Sequence, residues 1–301
     1  MKMFDQARKL RKMFPGGKKD IDQEGEMEGK VPDRSRVISV ASGKGGVGKT
    51  NIVVNLALAL QNLNRDVLIL DADMGMANID VVMGITPKYH LGHVLENKCN
   101  LEDALVSGPS GLDVLPGASG VDDFTGINFG EVKRLLELSS AIEASYDFIM
   151  LDIGAGVHQG VVNFIRAADE ILVVLTPEPT AVMDAYSLIK ILAGYDVSSQ
   201  LNLIVNQVES RSEGEDVSGR MKNAINDYLE INVEKTALIP YDDVLRKSVR
   251  EQEPLMQLYP NSKAGRAFSQ IAEMMADGAV KENSRGMKGF VYRMLGFFKD
   301  S

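Results

Sequence analysis

The nine residues from Ser42 to Thr50, Ser-Gly-Lys-Gly-Gly-Val-Gly-Lys-Thr, have the types and spacing of a loop that binds nucleotide phosphates. Backbone N–H groups beside the glycines can wrap the phosphates, Lys49 can neutralise the β and γ oxygens, and the Thr50 hydroxyl can ligate Mg²⁺. A glycine-rich surface turn is the alternative, but it would not require every position of the pattern to be filled. The predicted nucleotide contacts are Gly43, Lys44, Gly45, Gly46, Val47, Gly48, Lys49, Thr50 and Asn51.

Aspartates follow two of the apolar runs in the sequence. Asp71 and Asp73 come after the run 67–70, and Asp152 comes after the run 148–151. A carboxylate directly after a buried strand suits the shell of Mg²⁺, so the predicted metal ligands are Thr50, Asp73 and Asp152. Asp73 lies farther into its loop, where it can orient the water that attacks the γ-phosphate. For Asp71, a direct role and a turn-capping role are equally open.

Apolar runs alternate with helical patterns along the chain, and this alternation predicts how the site is built. Strands are predicted over 36–41, 66–70, 112–115, 148–151, 171–175, 201–205 and 237–239, with a helix over 50–63 directly after the glycine-rich loop. The pattern predicts an α/β fold with a mostly parallel, doubly wound sheet that is covered by helices on both faces. Ligands of such sheets bind at the carboxyl ends of the strands, where the candidate residues fall.

Length and charge restrict the class of protein. The chain has 301 residues, 45% of them apolar, which is enough for one large α/β domain. Cys99 is its only cysteine, so an internal disulfide is excluded and a cytoplasmic location is expected. The net charge is −9, yet residues 1–36 and 281–301 each carry +3, which leaves about −15 on the body. Such an acidic body argues against direct binding of nucleic acid.

Residues 1–35 are predicted to be a partner-binding segment outside the α/β domain. Apolar residues recur at helical spacing between basic ones, which favours a short amphipathic helix, and they are Met3, Phe4, Ala7, Leu10 and Phe14. The stretch 20–30 is acidic and nearly without apolar residues, so it is predicted to be a linker. Because so short a helix is marginal alone in water, we expect it to fold on a partner or on the body.

Residues 281–301 are predicted to form a basic amphipathic helix that targets an anionic membrane surface. Its apolar stripe consists of Met287, Phe290, Val291, Met294, Leu295 and Phe298. One such helix is a weak anchor, and two on a dimer bind with avidity. The alternative is a helix packed on the protein's own core, and both arrangements can hold in turn.

Three segments resemble the deviant Walker A ATPases of the MinD/ParA group: the glycine-rich loop, the run from Asp71 to Asp80, and the run from Asp147 to Gly156. The resemblance covers residues 36–278 and implies a P-loop ATPase domain of the SIMIBI type over 36–280, with ATP, ADP and Mg²⁺ as cofactors. In that group the lysine that matches Lys44 reaches across a nucleotide sandwich to the phosphates of the partner subunit. A homodimer that forms with ATP is therefore implied.

The same resemblance implies roles for single residues. Lys44, Lys49 and Asp73 would be catalytic, with Asp73 activating the attacking water. The adenine would be bordered by Asn206, Pro240 and Asp242.

The N-terminal segment resembles one family within this group, the FlhG flagellar-number regulators. Its run Asp5-Gln6-Ala7-Arg8-Lys9-Leu10-Arg11 matches the DQAxxLR motif, whose residues here are Asp5, Gln6, Ala7, Leu10 and Arg11, and Asn51 is also typical of the family. The resemblance implies docking on an FlhF-type GTPase, control of flagellar placement or number, reversible attachment to the inner face of the cell membrane, and contacts with flagellar switch-complex proteins. Two alternatives stay open: a MinD-like ATPase that positions cell division, and a GTPase activator whose ATP hydrolysis is incidental.

Overall fold

The computed structural model describes residues 35–73, 78–117, 129–195, 199–229, 231–277 and 284–297. The predicted partner motif within residues 5–11 and the predicted membrane residue Phe298 lie outside the described residues. The predicted boundaries at residues 35 and 280 are therefore not tested by the structure.

Eight strands form one sheet in the order β3-β4-β2-β5-β1-β6-β7-β8. All neighbouring strands run parallel except β3 and β4, which pair antiparallel. The strands are β1 (Arg36–Ala41), β2 (Val67–Ala72), β3 (Val106–Ser107), β4 (Asp113–Leu115), β5 (Phe148–Ile153), β6 (Glu170–Leu175), β7 (Gln200–Val208) and β8 (Val233–Pro240). The predicted mostly parallel sheet is confirmed.

Twelve helices are assigned in the described residues, and they cover both faces of the sheet. They are α1 (Lys49–Gln61), α2 (Ile79–Met83), α3 (Leu91–Leu95), α4 (Leu101–Ala104), α5 (Phe129–Ser145), α6 (Gln159–Ala167), α7 (Pro179–Ala193), α8 (Arg211–Tyr228), α9 (Asp243–Glu251), α10 (Leu255–Leu258), α11 (Lys263–Ala276) and α12 (Gly286–Phe297), with a 3₁₀ turn at Pro109–Gly111. One core contains residues of α1, α2, α10 and α11, and the other contains residues of α5, α6, α7, α8 and α12.

The central strands are buried on both faces. Every residue of β1, β2, β5 and β6 is buried, and neighbours such as Val37 and Ile38 belong to opposite cores. This double burial is the reason why these strands read as continuous apolar runs rather than as alternating patterns.

The edges of the sheet are where the predicted strands differ from the observed ones. The two-residue strand β3 is too short to leave a pattern in the sequence. Strand β8 begins at Val233, whereas the sequence predicted a start at 237. The prediction missed the first half of the strand because Glu234 and Lys235 there are polar and exposed. An edge strand is covered less completely, so its apolar pattern is weak.

Helix α12 packs on the body, so the predicted lipid-facing stripe is not exposed in this conformation. Met287, Phe290, Val291 and Met294 are buried, and Leu295 is partly buried, against α5, α6 and β1. The ring centroids of Phe164 and Phe290 lie 6.1 Å apart. The groove that these elements form takes up the apolar stripe, which is the alternative that the sequence left open.

Polar contacts around the carboxylate of Asp169 tie α12 to the sheet. Asp169 precedes β6 and accepts hydrogen bonds from the backbone N–H of Val37 at 3.2 Å and from the Ser284 hydroxyl at 3.2 Å. It also accepts from the N–H of Arg285 at 3.2 Å and from the guanidinium of Arg293 at 2.9 Å. We call these five residues the Asp169 cluster, and it joins the start of β1 both to the residues directly before α12 and to Arg293 within that helix.

Asp169→Ala is expected to loosen α12. The substitution leaves the Arg293 guanidinium, whose side chain is only 13% exposed, without its carboxylate. Breaking such a pair by removing one partner costs about 3–5 kcal/mol. Relative to the wild type, hydrogen exchange should accelerate more in residues 287–297 than in the central strands. The control is Asp216→Ala, which breaks an exposed pair with Arg220 and should cost less than about 1 kcal/mol. Unchanged protection of α12 in Asp169→Ala would contradict this role.

Candidate nucleotide-binding and hydrolysis site

The glycine-rich loop joins the end of β1 to the start of α1 at the carboxyl edge of the sheet. Gly48 precedes α1 with φ of 91°, and its position leaves the first turn of the helix without a side-chain cap. Those N–H groups are therefore available to an anion. Gly43 also has to be glycine, because a Cβ there would lie 2.2 Å from the carbonyl oxygen of Asp184. The loop thus has the geometry of a phosphate-binding site.

The carboxylate of Asp152 bridges the two key side chains of this loop. The Lys49 ammonium lies 2.5 Å from Asp152 Oδ1, and the Thr50 hydroxyl donates to Asp152 Oδ2 at 2.7 Å. Lys49 and Asp152 are both buried. A hydroxyl and a carboxylate side by side fit a Mg²⁺ ion that takes its remaining ligands from phosphate oxygens and water. Two of the three predicted metal ligands are therefore brought together.

Asp73 lines the same cavity, which has a volume of about 630 Å³ and also contains Lys49, Thr50 and Gly154. Its Oδ1 lies 3.1 Å from where a Cβ on Gly154 would be, so Asp73 is next to the loop that follows Asp152. The cavity also includes Asn51 and His158. Asp73 is therefore placed beside the predicted phosphate contacts, as a residue that orients water requires.

Lys44 lies on the outer side of the loop. Its ammonium contacts the Thr180 hydroxyl at 3.0 Å and the Glu178 carboxylate at 3.3 Å, both at the start of α7 of the same chain. The side chain is 41% exposed. Unlike Lys49, Lys44 is thus positioned at the surface of the site.

Comparison with known proteins agrees with this geometry. A family model described as an AAA domain matches residues 35–206. The antiactivator FleN of Pseudomonas aeruginosa is 39% identical over 86% of this chain and 93% of its own length, and the flagellum site-determining protein YlxH of Helicobacter pylori is 32% identical over 87% and 90%. The chain belongs to the FlhG (FleN/YlxH) family of MinD/ParA-type ATPases. The predicted family is therefore confirmed.

The fold of this FlhG-family chain is similar to that of a solved structure. The septum site-determining protein MinD of Pyrococcus horikoshii, complexed with Mg-ADP, aligns with a TM-score of 0.63 at 29% identity, over 84% of this chain and 98% of that one. The chain is an ATPase that regulates flagellar number or site positioning, as its family does. In the described part of the chain, no helix is both long and apolar enough to cross a bilayer.

The residues predicted to border the adenine lie at the carboxyl ends of β7 and β8, and two of them already have partners in this FlhG-family chain. The Asn206 amide donates to the carbonyl of Val47 at 2.8 Å. Asp242 accepts from the N–H of Val244 at 3.2 Å and from that of Ala264 at 3.0 Å. Asn206 thus supports the phosphate loop and Asp242 caps α9. Contact of Asn206, Pro240 and Asp242 with a base stays a prediction.

Sequence reasoning missed Asn55, which supports the site from α1. This side chain is fully buried, donates to the carbonyl of Asn51 at 2.8 Å and accepts from the N–H of Met256 at 2.9 Å. It therefore connects the helix after the phosphate loop to α10. A single polar residue within the apolar run of α1 was the available signal, since a buried amide has to be hydrogen-bonded.

Asp71 is a second buried carboxylate beside Asp152, its partner in the pairing of β2 with β5. It accepts a hydrogen bond from the N–H of Asp73 at 3.0 Å, as a turn-capping residue does. Burial raises its pKa to about 7, and the negative charges of Asp152 and Asp73 add to this effect. The site thus contains a carboxyl group whose pKa lies near neutrality.

Asp71→Asn should reduce the pH dependence of stability in the nucleotide-free protein. Because the folded state holds the Asp71 proton more tightly than the unfolded chain, this stabilisation is complete below a pH of about 4 and is lost as the pH rises through about 7. The variant should therefore lose less unfolding free energy than the wild type between pH of about 5 and 8, by roughly 2–4 kcal/mol. Urea denaturation at the two pH values measures this difference.

The matched control is Asp66→Asn, directly before the same strand, where the side chain is exposed. It should keep the pH dependence of the wild type. Parallel stability profiles for Asp71→Asn and the wild type would refute the proton equilibrium at Asp71.

Proposed function

We propose that this FlhG-family chain is a switch in which ATP and Mg²⁺ close a homodimer through Lys44. The closed dimer binds the anionic inner face of the cell membrane through α12, and hydrolysis aided by Asp73 releases it. The observation that carries the proposal is the position of Lys44, which lies at the surface of the site while Lys49 occupies its interior. A lysine so placed can reach the phosphates of a second subunit.

Nucleotide and metal binding are supported by the donor set at the loop. Lys49 would leave Asp152 and bind the β and γ oxygens of the nucleotide. Thr50 and Asp152 would hold Mg²⁺, and Asp73 would contribute through the water molecules bound to the ion. The bound metal would neutralise phosphate charge during hydrolysis. The Pyrococcus horikoshii MinD structure is a complex with Mg-ADP, which supports this choice of cofactors.

Exposed apolar side chains near the site support a dimer. Val81 lines the cavity, Val157 lies in the loop after Asp152, and Met183 lies one turn after Thr180 on α7; they are 51%, 43% and 62% exposed. Lys44 would have to leave Glu178 and Thr180 to reach a partner. That step costs little, because exposed ion pairs contribute only about 0–1 kcal/mol.

Helix α6 offers a physical connection between the nucleotide and α12. It begins directly after the loop of Gly154 and His158, which line the cavity. Farther along, Phe164 packs on Phe290, and the Arg166 guanidinium stacks 4.0 Å from the ring centroid of Phe297. A shift of the loop on binding the γ-phosphate would move α6 and weaken these contacts. The released apolar stripe, with its basic neighbours, would then suit an anionic bilayer.

The names of the relatives support a flagellar role for the switch. FleN is called an antiactivator and YlxH is called flagellum site-determining. We extend this to docking of the motif Asp5 to Arg11 on an FlhF-type GTPase, and to contacts with flagellar switch-complex proteins. The resemblance to septum site-determining MinD proteins keeps cell-division positioning as the second candidate. That function gives no reason for the segment 1–35.

Lys44→Gln should remain monomeric with ATP and Mg²⁺, because the charge that would reach the partner's phosphates is lost. Asp73→Ala should bind ATP and dimerise, hydrolyse ATP about 10²-fold more slowly, and stay on anionic vesicles. Analytical ultracentrifugation, phosphate release and vesicle cosedimentation measure these effects. Lys190→Gln, an exposed lysine near the other end of α7, is the control and should behave as the wild type. An ATP-dependent dimer of Lys44→Gln, or rapid turnover by Asp73→Ala, would contradict the proposal.

Deletion of residues 1–35 should abolish stimulation of an FlhF-type GTPase and leave ATP hydrolysis intact. Within the full chain, Arg11→Ala should lose most of the stimulation, while Lys9→Ala, at an unspecified position of the motif, should retain it. GTP hydrolysis by the mixed purified proteins measures both. Equal stimulation by the isolated peptide 1–35 and the full chain would favour an activator whose ATP hydrolysis is incidental. No stimulation by either would remove the GTPase partner and leave the ATPase.

A further inference from the structure

A cavity of about 530 Å³ lies at the amino edge of the sheet, opposite the phosphate loop. It is lined by the starts of the neighbouring parallel strands β1, β6, β7 and β8, by the last turn of α11 and by the residues directly before α12. Part of its wall is apolar and includes Leu172, Ile204, Ala237, Ile271 and Met274, the last of which is 37% exposed. The cavity thus offers an apolar surface that a further segment of chain can cover.

The described chain begins at this cavity. Ser35, the first described residue, is 1% exposed. The side chain of Arg36 lines the cavity, where its guanidinium donates to the carbonyl of Met275. The 34 residues before Ser35 therefore reach the body here. Three strand spacings, about 14 Å, separate β1 from β8, and an extended chain covers that distance in about five residues. Residues 20–34 are thus long enough to follow the cavity from β1 to the edge strand.

The sequence of residues 20–34 has two kinds of side chain at regular positions. Carboxylates occupy every second position in its first part, and they are Asp20, Asp22, Glu24, Glu26 and Glu28. Successive side chains of an extended chain point to opposite sides, so these carboxylates would share one side while Ile21 and Met27 share the other. Val31 follows closer to Ser35. The segment therefore has apolar side chains for a wall and carboxylates for cations.

The charges at the cavity favour an acidic segment. Four of the charged lining residues form two ion pairs, Arg36 with Glu170 and Arg293 with Asp169. The other charged lining residues are Lys235, Arg285 and Glu234, which sum to +1 because there are two cations and one anion. Lys235 and Arg285 are both exposed, on a body whose net charge is about −15. These two cations therefore provide a local attraction for carboxylates on an otherwise acidic body.

We propose that residues 20–34 dock in this cavity of their own chain. Ile21, Met27 and Val31 would cover the apolar wall, and the carboxylates would lie near Lys235 and Arg285. All the residues of the Asp169 cluster except Val37 line the same cavity, so the docked segment would shield the contacts that tie α12 to the sheet. The proposal depends on neither ATP binding nor a GTPase partner, so it can fail while the proposed function stands.

The first test is zero-length cross-linking of the full chain with a carbodiimide, in the absence of nucleotide. This reagent joins a carboxylate to a lysine only where the two are in contact. Mass spectrometry should find residues 20–28 joined to Lys235 about tenfold more often than to Lys263, because docking raises the local concentration of the carboxylates. Lys263 is the matched control, since it is exposed at the other end of α11. The cross-linked products should be monomeric.

The second test is hydrogen exchange of the full chain with Met27→Asp and Val31→Asp combined. These changes place charge against the apolar wall, so the segment should leave the cavity. Exchange in residues 234–237 and 272–276 should become about tenfold faster than in the wild type. The control is Met13→Asp, which lies before the docking segment and should leave the exchange of both regions unchanged.

Three results would overturn the proposal. Equal cross-linking of Lys235 and Lys263 would show that the segment has no preferred position on the body. Cross-links to Lys235 found only in covalent dimers would assign the cavity to the segment of a second copy. Unchanged exchange in the chain with Met27→Asp and Val31→Asp would show that these side chains do not cover the cavity.

Discussion

The Asp152 carboxylate makes the interaction on which the rest of the site depends, because it holds Lys49 and Thr50 together at the end of the central strands. This contact requires β1 and β5 to be adjacent and parallel, and the loop after β1 to return tightly into α1. A buried ion pair contributes little net stability, since desolvation offsets its attraction. Its proposed value is positional: if phosphate and Mg²⁺ were to replace the internal contacts, the three side chains would already be close together.

The two ends of β1 serve two different parts of the molecule. Its carboxyl end leads into the phosphate loop, and its amino end donates from Val37 to Asp169, which also binds Arg293 of α12. Helix α6 runs between these regions, from the loop beside the cavity to the aromatic contacts with α12. The proposed nucleotide site and the attachment of α12 therefore share a strand and a helix. The proposed coupling between them would not require any contact between α12 and the nucleotide itself.

Polar residues near the loop are of two kinds: some are buried and hydrogen-bonded within the fold, and others lie at the periphery of the site. Asn55 and Asn206 are buried and use their amides to hold the loop and its helix in place. Lys44 lies at the periphery, paired with an exposed glutamate. The first kind is expensive to leave unpaired, whereas the second can exchange partners at small cost. Partner exchange at the periphery is what a nucleotide-dependent switch needs.

The sequence alone determined the sheet, and it predicted the phosphate loop and the carboxylates Asp73 and Asp152, which the structure places at the same edge of that sheet. Double burial makes the central strands continuous apolar runs, and phosphate binding restricts residue types at consecutive positions, so both can be read locally. The edge strands β3 and β8 could not be predicted accurately, because partial exposure removes their pattern. The partners of Asn206 and Asp242 could not be predicted either, and neither could the Asp169 cluster. These contacts join residues far apart in the chain or arise from strand register, and only the tertiary structure decides which polar groups meet. The tertiary structure also decided that the apolar stripe of α12 lies in a groove of the body. An apolar stripe in a sequence predicts that this face of the helix is covered, but it does not predict which surface covers it.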